Sequence, residues 1–236
     1  MENVLRCKVG QSHPADPHLL HATTSEKARA IQMVGLRIGP RTKRGTGYCA
    51  RDDWDCMREE AYLESERVHE ETRRRFFPDK ITRQNAVFFY PREGNFWWDE
   101  PGVMVTGEDE YGRPVYDFGF GKDTLFVVDS AMIPCGCGVG DGTRSDNVFN
   151  HFYTKYRHGT ERILDRGRTP EEKSIEFWRS VKEYDPNTFD VWKEQEREGD
   201  EYQPEVWCPC AIPRDAIEEK YDKNNPLPDI RYGGFA

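Results

Sequence analysis

The chain has 236 residues, of which 36% are hydrophobic and 33% charged, and its formal net charge is −9 at pH 7. A chain of this length buries enough surface to fold without crosslinks. Its acidic balance argues against a broad basic face for nucleic acid. No stretch approaches the roughly 18 apolar residues of a membrane span, and the N-terminus lacks an apolar signal segment. These features predict a cytoplasmic protein, or a delivered effector, without a membrane partner.

The first predicted elements are a strand that presents His21 and a helix that follows it. Thr23 and Glu26 have the spacing of a capping box, which predicts Thr23 as the helix cap. Gly35 is predicted as the left-handed residue that ends the helix. The apolar face of this helix is formed by Ala28, Ile31 and Val34.

Residues 40–80 are predicted to be a helical insertion between two core strands. Within it, apolar residues recur at helical spacing over about 52–76, and Pro78 ends the pattern. Because the remaining residues are mostly charged, we expect this helix to lie on the surface.

The rest of the chain alternates short apolar strands with helices and turns. The residues 85–90 and the apolar residues 124–129 predict strands, the latter central in a sheet. Further predictions are a hairpin in 103–120, a glycine-rich loop over 135–142, helices over 146–157 and from Thr169-Pro170, a charged loop over 194–203 and a strand over 205–208. Because the sequence shows no repeat or linker, residues 1–236 are predicted to form a single α+β domain.

Glu205 is a candidate for chemistry because it begins an apolar strand directly after a charged segment. A fixed carboxylate stabilises a developing sugar cation, and it also acts as a base toward an acceptor. His21 is a candidate for hydrogen bonding to a ribose. Taken alone, each residue is more simply read as a structural or solvent-facing side chain.

Seven cysteines in an apparently intracellular chain indicate reduced thiols or metal ligands instead of a disulfide framework. Two C-x-C pairs, Cys135 with Cys137 and Cys208 with Cys210, supply the four thiolates of a tetrahedral zinc site. Of the two interpretations, free thiols and a zinc site, we prefer free thiols.

Three segments together resemble the ADP-ribosyltransferases. Leu20-His21-Ala22-Thr23, followed by Ala30-Ile31 and Gly35-Leu36, is similar to that family's opening strand and helix. Ala86 to Tyr90 resembles its middle strand, and Glu205-Val206-Trp207 with Ile212-Pro213 resembles its last motif. The similarity is greatest to the histidine–tyrosine–glutamate group and to the DNA-modifying DarT-type toxins.

The resemblance implies a split, mostly antiparallel sheet with peripheral helices and a cleft for NAD as co-substrate. It implies that His21 and Thr23 hold the NAD ribose, that Tyr90 packs on nicotinamide, and that Glu205 is catalytic. Either Phe89 or Tyr90 faces nicotinamide, because adjacent strand residues point to opposite faces. Arg92 is the implied clamp for the pyrophosphate, with a surface arginine as the alternative.

The implied reaction moves ADP-ribose from NAD to a macromolecular acceptor, which is a protein or a nucleic acid. Gln203 precedes Glu205 by two residues and is therefore the implied acceptor contact. Analogy alone suggests a toxin and an antitoxin or inhibitor partner. The alternatives are a degenerate NAD- or ADP-ribose-binding module, a zinc-stabilised interaction module, and an RNA 2′-phosphotransferase-like enzyme, which would lack the glutamate.

Overall fold

A computed structural model describes residues 18–38, 54–91, 103–108, 114–118, 123–158, 167–198, 202–222 and 224–225. The strands are β1 (His18–Thr23), β2 (Val87–Pro91), β3 (Val103–Glu108), β4 (Pro114–Phe118), β5 (Thr124–Asp129), β6 (Gly138–Asp141), β7 (Lys182–Glu183), β8 (Pro204–Cys208) and β9 (Ile217–Tyr221). The helices are α1 (Ser25–Val34), α2 (Trp54–Phe76), α3 (Gly142–His158), α4 (Pro170–Ser180) and α5 (Val191–Glu198). None of these helices combines the length and apolarity needed to cross a bilayer.

Seven strands form an antiparallel sheet in the order β7-β6-β8-β2-β1-β5-β9. β1 pairs with β5 along its whole length, from His18 to Thr23. Its described pairing with β2 consists of Leu19 with Pro91 and Leu20 with Tyr90. The sheet therefore divides after Leu20 into two parts, which confirms the predicted α+β fold with a split, antiparallel sheet. β3 and β4 form the predicted hairpin as a separate two-stranded sheet.

The two faces of the sheet are covered differently. On one face, Leu19, Phe89 and Val206 belong to an apolar core against which residues of α1 and of the segment after β8 pack. On the other face, Trp207 lies in a second cluster with Phe177 and Trp178 of α4. Since α2 and α3 also pack with α4, a helical layer covers the Trp207 face.

Helix α2 lies where the helical insertion is predicted, but it is not a simple surface helix. It buries a polar side, formed by Ser65, Glu66, His69, Glu70 and Thr72. Buried polar groups are tolerated where they are hydrogen-bonded. Glu70, for example, accepts hydrogen bonds from Arg73, Arg74 and Thr82. The opposite side of the helix, which includes Arg67, Glu71 and Arg74, is exposed, so α2 lies at the surface as predicted, but its buried side is more polar than expected.

Two segments predicted as loops contain regular structure. The glycine-rich segment includes β6, where glycine is required because a Cβ at Gly138 would lie 2.6 Å from the Trp207 ring. The charged segment 194–203 includes the second half of α5, where Glu194 is buried and pairs with Lys182 and Arg197. In both cases contacts with distant residues outweigh a local sequence that favours loops.

Two further predictions need correction. The cap of α1 is Thr24, whose side chain makes no capping hydrogen bond, because Thr23 still belongs to β1. β5 is buried as predicted, but it lies between β1 and β9 and is not central.

Two predictions about helix ends are confirmed. Gly35 adopts a positive φ, of 78°, at the end of α1, and the capping box of Thr169 with Glu172 is present at α4.

Candidate functional site

Tyr90 and Glu205 meet on one face of the sheet. β2 pairs with β8 through Phe88 and Trp207 and through Phe89 and Val206. If this register is continued by one step, Tyr90 lies opposite Glu205, and side chains directly opposite each other share a face. Desolvation of the phenol and the carboxylates of Glu205 and Asp146 raise the pKa of Tyr90 to about 12.

The two candidate aromatic residues are distinguished by this register. Tyr90 is 40% exposed, whereas Phe89 is 1% exposed and lies in the apolar core of the opposite face. Tyr90 is therefore the aromatic side chain that a ligand beside Glu205 would contact. The sequence left this choice open because both residues suit a strand equally well.

Glu205 is held through one of its two carboxylate oxygens. Arg83 donates a hydrogen bond from Nη1 to Glu205 Oε2 at 2.6 Å, and the Glu205 side chain is 20% exposed. Among the described residues, no other hydrogen bond to this carboxylate is found. The second oxygen is thus available to a ligand at the surface of the sheet.

Arg83 is a buried cation that no feature of the sequence identified. Its side chain is 3% exposed, and Nη2 donates to Glu66 Oε1 at 3.0 Å. The guanidinium carbon lies 4.8–5.3 Å from the ring centroids of Phe88, Phe177 and Trp207. Burial opposes the charged form, but the Glu205 and Glu66 carboxylates outweigh it and raise the pKa of Arg83.

His69 lies in the same helical layer and is fully buried. Its Nδ1 is 2.9 Å from Ser174 Oγ, and its Nε2 is 3.4 Å from Ser145 Oγ. Desolvation, with a further contribution from Arg83, lowers the pKa of His69 to about 3. A neutral imidazole enclosed by two serines joins α2, α3 and α4, and it has no access to a ligand.

His21 lies where β1 and β2 separate. Its Nδ1 is 2.9 Å from the carbonyl oxygen of Phe88, and its ring meets the Phe89 ring edge-on at a centroid distance of 5.7 Å. Because Leu20 is the residue opposite Tyr90, alternation directs His21 to the face opposite Tyr90. The structure thus brings the three candidate strands together, but it does not bring His21 beside Glu205 on one face.

Three further candidates have different outcomes. Thr23 is buried in β1 opposite Thr124. Gln203 directly precedes β8; its backbone carbonyl accepts a hydrogen bond from the Gly142 backbone N–H at 2.6 Å, and its backbone N–H donates to Asp141 Oδ1. This links the residue before β8 to the start of α3. Arg92 lies outside the described residues.

The four cysteines of the C-x-C pairs come together, as a zinc site would require, but as two disulfides. Cys137 joins Cys208 and Cys135 joins Cys210, with Cα atoms 4.4 and 6.3 Å apart. Both pairs continue the antiparallel register of β6 with β8, which explains how each sulfur meets its partner. The expectation of reduced thiols is wrong, and no cluster of three or more potential metal ligands occurs in the described ranges.

Comparisons with protein-family models, curated proteins and solved structures found no match to this chain.

Proposed function

We propose that this protein is an NAD-dependent ADP-ribosyltransferase in which Glu205 is the catalytic residue and Tyr90 contacts nicotinamide. The observation that carries the proposal is the register that sets the half-exposed Tyr90 opposite Glu205. These residues lie far apart in sequence, and they belong to two of the three segments that resemble the family. A second supporting feature is the separation of β1 and β2 beside them.

The local charge suits the proposed chemistry. Glu205 and Glu66 contribute two negative charges against the single positive charge of Arg83, and Asp146 adds a further carboxylate near Tyr90. When the bond between nicotinamide and ribose breaks, its electron pair leaves with nicotinamide and positive charge develops on the sugar. A fixed carboxylate next to that charge lowers the barrier. The acceptor then forms the new bond to the ribose, and the proton that it loses passes to Glu205 acting as a base.

The role of His21 differs from the one that the resemblance implies. Its Nδ1 already meets the Phe88 carbonyl, so His21 bridges the two strands at their point of separation. We propose that it maintains the shape of the cleft at this point. The proposal does not specify whether the acceptor is a protein or a nucleic acid. Gln203 remains the proposed contact for that acceptor.

The alternatives gain less support. Arg83 is buried and already bonded to two carboxylates, which makes it a poor phosphate ligand for a 2′-phosphotransferase. The sulfurs required for a zinc-stabilised module are joined as disulfides. A degenerate NAD-binding module differs from the proposed enzyme in turnover, and that difference defines the experiment.

The test measures nicotinamide release from NAD and labelling of protein, DNA and RNA by the wild type and Glu205→Gln. The amide keeps the size of the side chain but removes the charge, so we expect turnover to fall by about 10²- to 10³-fold while NAD still binds. Glu183→Gln, which changes an exposed carboxylate on β7, is the matched control. Wild-type protein that binds NAD without turnover would support the degenerate module instead.

A further inference from the structure

Arg83, the cation in contact with Glu205, is enclosed by protein, since its side chain is 3% exposed. Arg83 precedes β2, Glu205 lies on β8 and Glu66 lies on α2, so one guanidinium joins three separate segments. We propose that Arg83 is the positioning residue for Glu205, fixing Oε2 so that Oε1 is presented to the ribose of NAD. This inference rests on the proposed function of Glu205.

The geometry requires arginine instead of a generic positive charge. Nη1 and Nη2 bond to two different carboxylates, at 2.6 and 3.0 Å. A lysine ammonium is a single point charge and does not span two carboxylates through a rigid planar fork. The hydrogen bond to Glu66 therefore fixes the orientation of the guanidinium, and the hydrogen bond from Nη1 then fixes the position of Glu205 Oε2.

Three aromatic rings limit the movement of this guanidinium. Phe88 and Trp207 come from the paired strands β2 and β8, and Phe177 comes from α4. Contacts with ring faces strengthen when water is excluded, and Arg83 is 3% exposed. Phe88 lies two residues before Tyr90 on β2, and Trp207 lies two residues after Glu205 on β8. Both rings therefore share the face of the sheet that carries Tyr90 and Glu205, and they hold Arg83 against that face.

The arrangement orients Glu205 without cancelling the negative charge of the cluster. Two carboxylates face one guanidinium, which leaves one net negative charge among Glu66, Arg83 and Glu205. Arg83 is thus expected to act on the reaction step more than on NAD binding, since a displaced carboxylate loses its contact with the developing sugar cation. A misplacement of about 1 Å is enough to cost about 10²-fold in rate.

The test compares nicotinamide release by the wild type, Arg83→Met, Arg83→Lys and Glu205→Gln, and by Arg83→Met in the Glu205→Gln background. We expect Arg83→Met to lower kcat by about 10- to 100-fold with KM for NAD within about 3-fold. Arg83→Lys should fall between Arg83→Met and the wild type. In the Glu205→Gln background, Arg83→Met should cost less than about 3-fold, because a residue that acts through Glu205 has nothing left to position.

Lys182→Met is the control, because Lys182 lies on β7 of the same sheet and its ion pair is with the buried Glu194 of α5 instead of with a residue bonded to Arg83. Its kcat should stay within about 3-fold of the wild type. An equal loss from Arg83→Met in both backgrounds would show a purely structural role and overturn the inference. If Arg83→Met does not fold, wild-type kcat in folded Arg83→Lys overturns it. Absence of turnover by the wild type rejects the proposed function as well, whereas an active wild type with an unaffected Arg83→Met rejects the inference alone.

Discussion

Gly138 lies directly opposite Trp207 across the β6–β8 ladder, and its missing side chain leaves the space that the indole occupies. Trp207 is fully buried, donates a hydrogen bond from Nε1 to the carbonyl of Ile81 at 3.2 Å, and is one of the three rings around Arg83. Gly138 therefore leaves room for Trp207, which in turn packs against Arg83. The requirement comes from close approach, since Gly138 needs no unusual backbone conformation.

Gly138→Ala is expected to destabilise the protein. The added Cβ would lie 2.6 Å from the Trp207 ring, and overpacking of this kind costs about 1–3 kcal/mol. Gly136→Ala is the matched control because its nearest atoms would be 3.6 Å away, an ordinary contact. Urea unfolding should show a lower midpoint for Gly138→Ala, and equal midpoints for the two variants would contradict the packing argument.

The two disulfides are expected to stabilise the protein redundantly. Each encloses almost the same segment, with sequence separations of 75 and 71 residues, so either bond alone restricts the unfolded chain. Loop-closure entropy predicts that losing one bond costs about 2 kcal/mol, because the other still closes the large loop, whereas losing both costs about 6 kcal/mol, more than twice the single loss. Replacement of each pair by alanine, alone and together, followed by urea unfolding, measures this non-additivity.

The reductant dependence is the control for the disulfide prediction. Dithiothreitol should lower the stability of the wild type but not that of the variant in which Cys135, Cys137, Cys208 and Cys210 are all alanine. Cys137 and Cys208 are buried, while Cys135 and Cys210 are half-buried, so alkylation during partial reduction should label the second pair first. A wild type insensitive to reductant and fully alkylated at these four positions would contradict the pairing.

Elements with a local signal could be predicted from the sequence, and elements stabilised by distant contacts could not. The apolar run of β5 and the capping box of Thr169 identify their elements directly. β6 consists of Gly-Val-Gly-Asp, which has little strand propensity of its own. It becomes a strand because β8 pairs with it and because Trp207 and Phe177 need its two glycines.

The site could be predicted in part for the same reason. The resemblance proposes Phe89 or Tyr90 as the nicotinamide contact, and strand alternation allows only one of them to share a face with Glu205. Only the pairing of β2 with β8 favours Tyr90 for that position. Arg83 carries no local signal, because its environment is built by side chains from α2, α4 and β8. The cysteine pairs predict proximity, yet the register that joins them as disulfides is a property of the folded sheet.

The two threonine caps are expected to differ in their contribution to stability. Thr169 accepts a hydrogen bond from the Glu172 amide at 3.2 Å and forms a capping box. Thr24 occupies the same position at α1, but its Oγ1 is buried and has no hydrogen-bond partner in the part of the chain that the structure describes. Thr169→Ala should cost about 1 kcal/mol, whereas Thr24→Ala should cost less than about 0.5 kcal/mol because no bond is lost. Urea midpoints of the two variants decide the comparison.

Tyr90 is expected to contribute to NAD binding through its ring more than through its hydroxyl. If nicotinamide packs on it, Tyr90→Ala should raise KM for NAD by about 10-fold, since stacking contributes about 1–3 kcal/mol. Tyr90→Phe keeps the ring and should stay within about 3-fold of the wild type. Tyr156→Ala, which removes a similarly exposed aromatic side chain from α3, is the control. A greater effect of Tyr90→Phe than of Tyr90→Ala would contradict stacking.

His69 is expected to make stability fall with acidification. Its pKa is lowered from 6.5 to about 3 in the folded protein, so between these values the unfolded state binds a proton that the folded state excludes. Stability therefore rises with pH in this window, by about 1.4 kcal/mol per pH unit from this group. The contribution is fully present above pH 6.5 and is lost as pH falls toward 3.

The His69 prediction is checked by comparing wild type and His69→Gln in urea unfolding between pH 4 and 8. Titrations shared by both proteins cancel in the difference, so the variant should have the shallower dependence on pH below 6.5. The test compares the change of stability with pH, so the absolute cost of losing the ring contacts with Ser145 and Ser174 does not enter. An equal dependence on pH in both proteins, or an imidazole resonance of His69 titrating near 6.5, would show that the buried ring is protonated in the folded state.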